Sequence, residues 1–177
     1  FSANACQNPA AGFTAPRLLL YNNYTYELGF QRRGRALAVF ETHSQDETAA
    51  LGEQLARTLS PGSLVLFTGG LGAGKTAFCR GMAHALGCTD EVSSPTFAIA
   101  NVYRGPQPFA HFDLYRIHTR EDLEAAGFYD YLDMGYIVAA EWSENAADIL
   151  AGEDAVRVDI VRTGDNDRRI TVEGGAL

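Results

Sequence analysis

The stretch Ser63-Leu-Val-Leu-Phe-Thr-Gly-Gly-Leu-Gly-Ala-Gly-Lys-Thr76 runs from a short apolar segment straight into a glycine-rich loop. Its second half, Gly69 to Thr76, matches G-x-x-x-x-G-K-[ST], and the flanks are the ones this motif needs. Ser63–Thr68 reads as a buried strand. A helix is predicted from Lys75, with Phe78, Met82 and Leu86 inward and Gly87 as its stop. Glycines let backbone N–H groups turn inward around a phosphate, and the following helix N-terminus adds a partial positive charge. The loop therefore predicts ATP contacts from Gly70, Leu71, Gly72, Ala73, Gly74, Lys75, Thr76 and Ala77. In this chemistry the Lys75 ammonium reaches the β- and γ-phosphates, and the Thr76 hydroxyl ligates Mg²⁺.

Upstream, Ala38–Thr42 reads as a short strand, and Ser44-Gln-Asp-Glu47 is a capping box opening a helix. Leu51, Leu55 and Leu59 fall four apart on one face of that helix, which Ser60-Pro-Gly-Ser63 ends. The first stretch, 1–37, has neither period. Its opening residues are small and polar, and a disordered extension is the favoured expectation, the alternative being a stray strand from Leu18–Leu20 with Tyr21, Tyr24 and Tyr26. It lacks a starting Met, which suggests sequence from upstream of the natural start. The ATPase domain is then 38–177.

Downstream, Ser93-Ser-Pro-Thr-Phe97 is a proline-punctuated loop in which Thr96 is a candidate γ-phosphate-sensing hydroxyl. Thr96–Tyr103 and Phe109–Arg116 read as a hairpin about Arg104-Gly-Pro-Gln-Pro108. Thr119 opens a short helix, Tyr136–Trp142 is a buried strand, and Ser143–Leu150 a further helix. Ala155–Val161 and Arg168–Glu173 form a last hairpin. The fold class is α/β: a single P-loop domain whose mixed central sheet is flanked by helices and carries a C-terminal β-hairpin.

A P-loop needs an acidic partner on a neighbouring strand to hold the metal. Two stand downstream. In His111-Phe-Asp-Leu-Tyr-Arg116, alternation puts His111, Asp113 and Tyr115 on one face, with Phe112 and Leu114 on the other. Tyr136-Ile-Val-Ala-Ala-Glu-Trp142 is an apolar strand ending in Glu141. Surface solvation is the expected role of Arg104, Arg116 and Arg120.

Composition narrows the partners. With 14 basic and 22 acidic residues the net charge is −8, which opposes autonomous nucleic-acid binding. Cys6, Cys79 and Cys88 lack C-x-x-C spacing and read as reduced thiols, and the four histidines show no metal-ligand spacing. The longest apolar run, at 136–140, is too short to span a bilayer, and no leader pattern opens the chain, so a cytoplasmic protein is expected.

Taken together, GGLGAGKT at 69–76, SSPTF at 93–97, HFDLYR at 111–116 and AEW at 140–142 resemble the TsaE family, formerly YjeE. This is the P-loop ATPase family of bacterial tRNA threonylcarbamoyladenosine synthesis. Arg168-Arg169-Ile170 also fits, and the likeness covers about Val39 to Val172. The resemblance implies Mg²⁺ as cofactor, held by Thr76 and by Glu141 in the Walker B role. It makes Asp113 an essential carboxylate beside the γ-phosphate, counted with Glu141 as a metal residue. Asp113, Glu141, Lys75 and Thr96 are then the catalytic set, with Trp142 beside the nucleotide and Thr42–Ser44 near the adenine. It further implies that the chain docks on TsaB–TsaD-like proteins, which hold the tRNA, and that its ATPase is weak alone. The family often has Asp at Gly70 and a second Thr at Ala77, so a second hydroxyl beside Thr76 has no counterpart here. The main alternative is a small-molecule kinase, but the 104–108 link is too short for a lid over the phosphates.

Overall fold

In the computed structural model, the described residues are 17–21, 24–30, 36–175 and 177. They form nine strands: β1 Arg17–Tyr21, β2 Tyr24–Phe30, β3 Ala36–Thr42, β4 Leu64–Thr68, β5 Ala100–Tyr103, β6 Phe109–Asp113, β7 Ile137–Glu141, β8 Ala155–Arg162 and β9 Arg168–Glu173. The helices are α1 Gln45–Ala56, α2 Lys75–Ala85, α3 Arg120–Ala125 and α4 Phe128–Asp133. The strands make one mixed sheet in the order β1-β2-β3-β9-β8-β4-β7-β6-β5. At its centre β8, β4, β7 and β6 run parallel. Antiparallel β5 closes one side, and β9, β3, β2 and β1 extend the other.

The parallel centre follows from sequence. Leu64–Phe67 and all of Ile137–Glu141 are buried, as expected for strands covered on both faces. Alternation splits them between two cores. Val65, Phe67 and Ala139 meet Leu51 and Leu55 of α1 and Phe78 and Met82 of α2. Leu64, Leu66, Val138 and Ala140 meet Phe112, Leu123, Phe128 and Leu150 on the opposite face. Phe67 and Phe78 make an edge contact at 5.3 Å that ties α2 onto β4, adding about 1 kcal/mol beyond burial.

The expected cap opens α1. Ser44 Oγ accepts from the Glu47 amide at 3.1 Å, while Glu47 Oε2 accepts from the amide of His43, one residue further back than in the standard box. The backbones of α1 and α2 approach so closely that a Cβ on Gly81 would overlap the Ala49 carbonyl oxygen. This contact anchors the P-loop helix on the domain.

Several boundaries differ from expectation. The strand predicted from Thr96 begins only at Ala100, because 95–98 turn back on themselves and Ile99 takes φ 68°. The next strand ends at Asp113, not Arg116, and the predicted helix 143–150 is a 3₁₀ turn over Ser143–Ala146. Within the stretch expected to be disordered, β1 and β2 are strands. They extend the sheet beyond β3, whose edge would otherwise present unpaired N–H and C=O groups. Residues 1–16, 22–23 and 31–35 lie outside the described set, Cys6 among them. Among the described residues, no helix is long and apolar enough to cross a membrane.

Candidate nucleotide and metal site

The parallel strands β4, β6 and β7 deliver their C-terminal ends to one rim, the usual place for a ligand in an open α/β sheet. β4 ends at Thr68 and the chain turns through Gly69–Gly74 into α2. Gly74 is the N-cap of α2 at φ 117°, a backbone that only glycine adopts without strain. The loop borders a cavity of about 300 Å³ that also reaches Thr48, Thr96, Glu141, Trp142 and Arg168. Leu71 to Ala77 all line it, as the motif predicts, whereas Gly70 does not.

Lys75 is buried, and its Nζ donates to the carbonyls of Gly69 and Gly70 at 2.6 and 3.1 Å. The same ammonium lies 3.9 Å from the centroid of the Trp142 ring, a cation–π contact. Burial pulls its pKa down, opposed by the negative charges of Glu141, Glu144 and Asp113. Trp142 is placed for this by a left-handed backbone, φ 59°, immediately after β7, and by an edge contact with Tyr115. A positive φ at a non-glycine residue marks a constrained site.

The two predicted carboxylates meet in register. Asp113 pairs with Glu141 across β6 and β7, and both are 4% exposed. Their partners differ. Thr76 Oγ1 donates to Glu141 Oε1 at 2.8 Å, joining the P-loop to the end of β7 over 65 residues of sequence. His111 Nε2 lies 2.9 Å from the same oxygen, buried between the strands. Burial pushes the Glu141 pKa up, but His111, Thr76 and Lys75 together outweigh it and hold the carboxyl below its ordinary value. Asp113 instead accepts from Thr96 Oγ1 at 2.9 Å and from the Tyr115 amide at 2.9 Å. It thus reaches the P-loop only through its strand neighbour, and it does not line the cavity.

The Ser93–Phe97 loop is held from several sides, Tyr103 Oη and Asn101 Nδ2 donating to the Ser93 carbonyl at 3.1 and 3.3 Å. Thr96 Oγ1 accepts from Ser94 Oγ at 2.8 Å while donating to Asp113, and Arg116 Nη2 donates to the Thr96 carbonyl at 2.8 Å. Arg116, expected to be merely solvated, therefore braces this loop. Two further residues escaped the sequence reading. Arg168 of β9 is buried, lines the cavity, and donates from Nε to the Ala73 carbonyl at 3.1 Å. Its position depends on the β9–β3 and β9–β8 registers, which no local pattern reveals. The second is His111 itself, which alternation placed on the Asp113 face without indicating its partner. Its ligand atom, those of Glu141 and of the free thiol Cys79 lie within 4.8 Å of one another, although the histidine spacing gave no sign of such a cluster.

The hydroxyl of Thr76 and the carboxylate of Glu141 are oxygen donors of the kind a hard divalent cation takes, so the residues present fit Mg²⁺. The arrangement combines a phosphate cradle, a cation donor and a carboxylate bonded to the loop's own threonine.

Known proteins match this pattern. A family model described as threonylcarbamoyl adenosine biosynthesis protein TsaE matches residues 42–170. The tRNA threonylcarbamoyladenosine biosynthesis protein TsaE of Treponema pallidum is 36% identical over 131 residues, covering 74% of this chain and 96% of that one. The Bacillus subtilis protein of the same name is 35% identical over 133 residues, covering 75% and 82%. The crystal structure of Bacillus subtilis YdiB superposes with a TM-score of 0.68 at 29% identity, covering 81% of this chain and 88% of that one. With its loop, its two strand-end carboxylates and its mixed sheet accounted for together, this chain belongs to the TsaE family of threonylcarbamoyl adenosine biosynthesis proteins.

Proposed function

We propose that this protein binds and hydrolyses Mg²⁺-ATP as a cytoplasmic accessory subunit of the tRNA threonylcarbamoyladenosine machinery, acting on TsaB–TsaD-like proteins. The observation that carries the reading is the 2.8 Å bond from Thr76 Oγ1 to Glu141 Oε1, which joins the P-loop hydroxyl to the carboxylate ending β7. Thr76 and Glu141 would hold Mg²⁺, with Asp113 supporting from the adjacent strand. When bound, the ion neutralises charge developing on the phosphates.

The chain's own groups supply the rest. Backbone N–H groups of Gly72–Thr76 and the start of α2 would cradle the phosphates, and Lys75 would add its charge. Thr96, bonded to Asp113 and lining the cavity, would be the hydroxyl that senses the γ-phosphate. Catalysis of this type is positional and electrostatic, so turnover depends on whatever completes the site. The net charge of −8 supports a division of labour in which partner proteins hold the tRNA.

The test is ATP hydrolysis by the chain alone, then with a TsaB–TsaD pair, then with tRNA added. Slow hydrolysis alone that rises with the partners is the expected result. Partner-independent turnover, or transfer of the γ-phosphate to a metabolite, would contradict it.

A further inference from the structure

His111 is fully buried, and its two ring nitrogens are unequal. Nε2 lies 2.9 Å from Glu141 Oε1, whereas Nδ1 is buried with no hydrogen-bond partner among the described residues. A buried polar atom left unpaired is costly, so the partnered nitrogen must return something. A carboxylate oxygen at this distance accepts, so Nε2 carries the proton and donates.

The geometry of the contact is set by the sheet. His111 stands opposite Ala139 on β7, and Glu141 lies two residues further along, on the same face. The ring is also stacked near Phe109, at 6.2 Å between centroids, which limits its freedom to turn. Glu141 Oε1 thus receives one hydrogen bond from His111 in the core and one from Thr76 at the start of α2.

We propose that His111 is a positioning residue for Glu141: its Nε2–H fixes the carboxylate against Thr76 Oγ1, so that the oxygen donors for the divalent cation are set before nucleotide arrives. This rests on the Mg²⁺-ATP reading above and adds a group that touches neither metal nor nucleotide. Partners that orient a metal ligand in this way are typically worth 10–100-fold in metal affinity.

The full-length chain tests it with three variants. His111→Phe keeps the stacked ring and removes the donor. His111→Gln offers an amide N–H at the reach of Nε2, and His111→Asn holds the same donor about one methylene short. Each is loaded with ADP, and Mg²⁺ affinity is measured by calorimetry, with Mn²⁺ binding by electron paramagnetic resonance as a second readout. Metal-free ADP affinity and melting temperature are followed in parallel.

Mg²⁺ affinity should fall about tenfold in His111→Phe and His111→Asn and recover to within about threefold in His111→Gln, with metal-free ADP affinity unchanged. Native Mg²⁺ affinity in a folded His111→Phe would overturn the proposal. If that variant does not fold, native affinity in His111→Asn does the same, as does a His111→Gln no better than His111→Asn. A wild-type chain that binds ADP with no effect of Mg²⁺ would instead overturn the Mg²⁺-ATP reading, and this inference with it.

Discussion

The ends of β6 and β7 are neighbours in one register, each finishing in a buried carboxylate, yet they carry different connections. Glu141 is bonded by side chains from the P-loop helix and from the core, Thr76 and His111. Asp113 is bonded by the hydroxyl of a loop residue, Thr96, and by the backbone of Tyr115. Equivalent positions on adjacent strands therefore do different work: one ties the sheet to the phosphate loop, the other ties the sheet to the Ser93–Phe97 loop. That loop is also less buried, with Phe97 96% exposed.

Substitutions at the two ends measure that difference. Glu141→Gln is nearly isosteric and removes the charge facing Thr76. Hydrolysis should fall by about two to three orders of magnitude, with the Mg²⁺ dependence shifted to higher concentration and nucleotide still bound. Asp113→Asn should cost less, about one to two orders of magnitude in turnover, with Mg²⁺ dependence close to wild type because Asp113 does not bond the P-loop. Steady-state assays across a Mg²⁺ titration separate the two, and equal Mg²⁺ shifts would erase the distinction. Thr96→Val removes the hydroxyl's bonds to Asp113 and to Ser94, and should lower turnover by about tenfold or less while raising proteolysis in 93–97. Wild-type cleavage of that loop would show that Asp113 does not hold it.

The smallest effect is on stability. The Glu141 pKa is lowered in the folded chain, so its contribution is present above the ordinary glutamate value and lost as pH falls through the lowered one. Melting temperature followed from roughly pH 6 to pH 3 should drop less steeply in Glu141→Gln than in wild type. Parallel slopes would mean that Glu141 is not favoured as the anion.

Much of this contrast was legible beforehand, for a physical reason. The P-loop is contiguous, so its glycines, Lys75 and Thr76 declare themselves through local backbone demands. The apolar runs before Asp113 and Glu141 mark them as strand ends at one rim. What stayed hidden depends on register. Arg168 lies 95 residues from the Ala73 carbonyl it bonds, and His111 is 30 residues from Glu141. Local propensity also misled where turns intervene: the left-handed Ile99 and Trp142 each bound a strand that composition alone would have extended. The strands β1 and β2 show only irregular alternation, so their pairing, β1 on β2 and β2 on β3, is what defines them.

Calorimetric titration of Mg²⁺-ATP into the wild-type chain and into Lys75→Ala tests the central assignment most directly. Lys75 is a buried charge at the start of α2 rather than a packing residue. Its loss should weaken binding by about a hundredfold or more, with an unchanged circular dichroism spectrum. Equal affinity in a natively folded Lys75→Ala would contradict the assignment of Gly69–Thr76 as the nucleotide site.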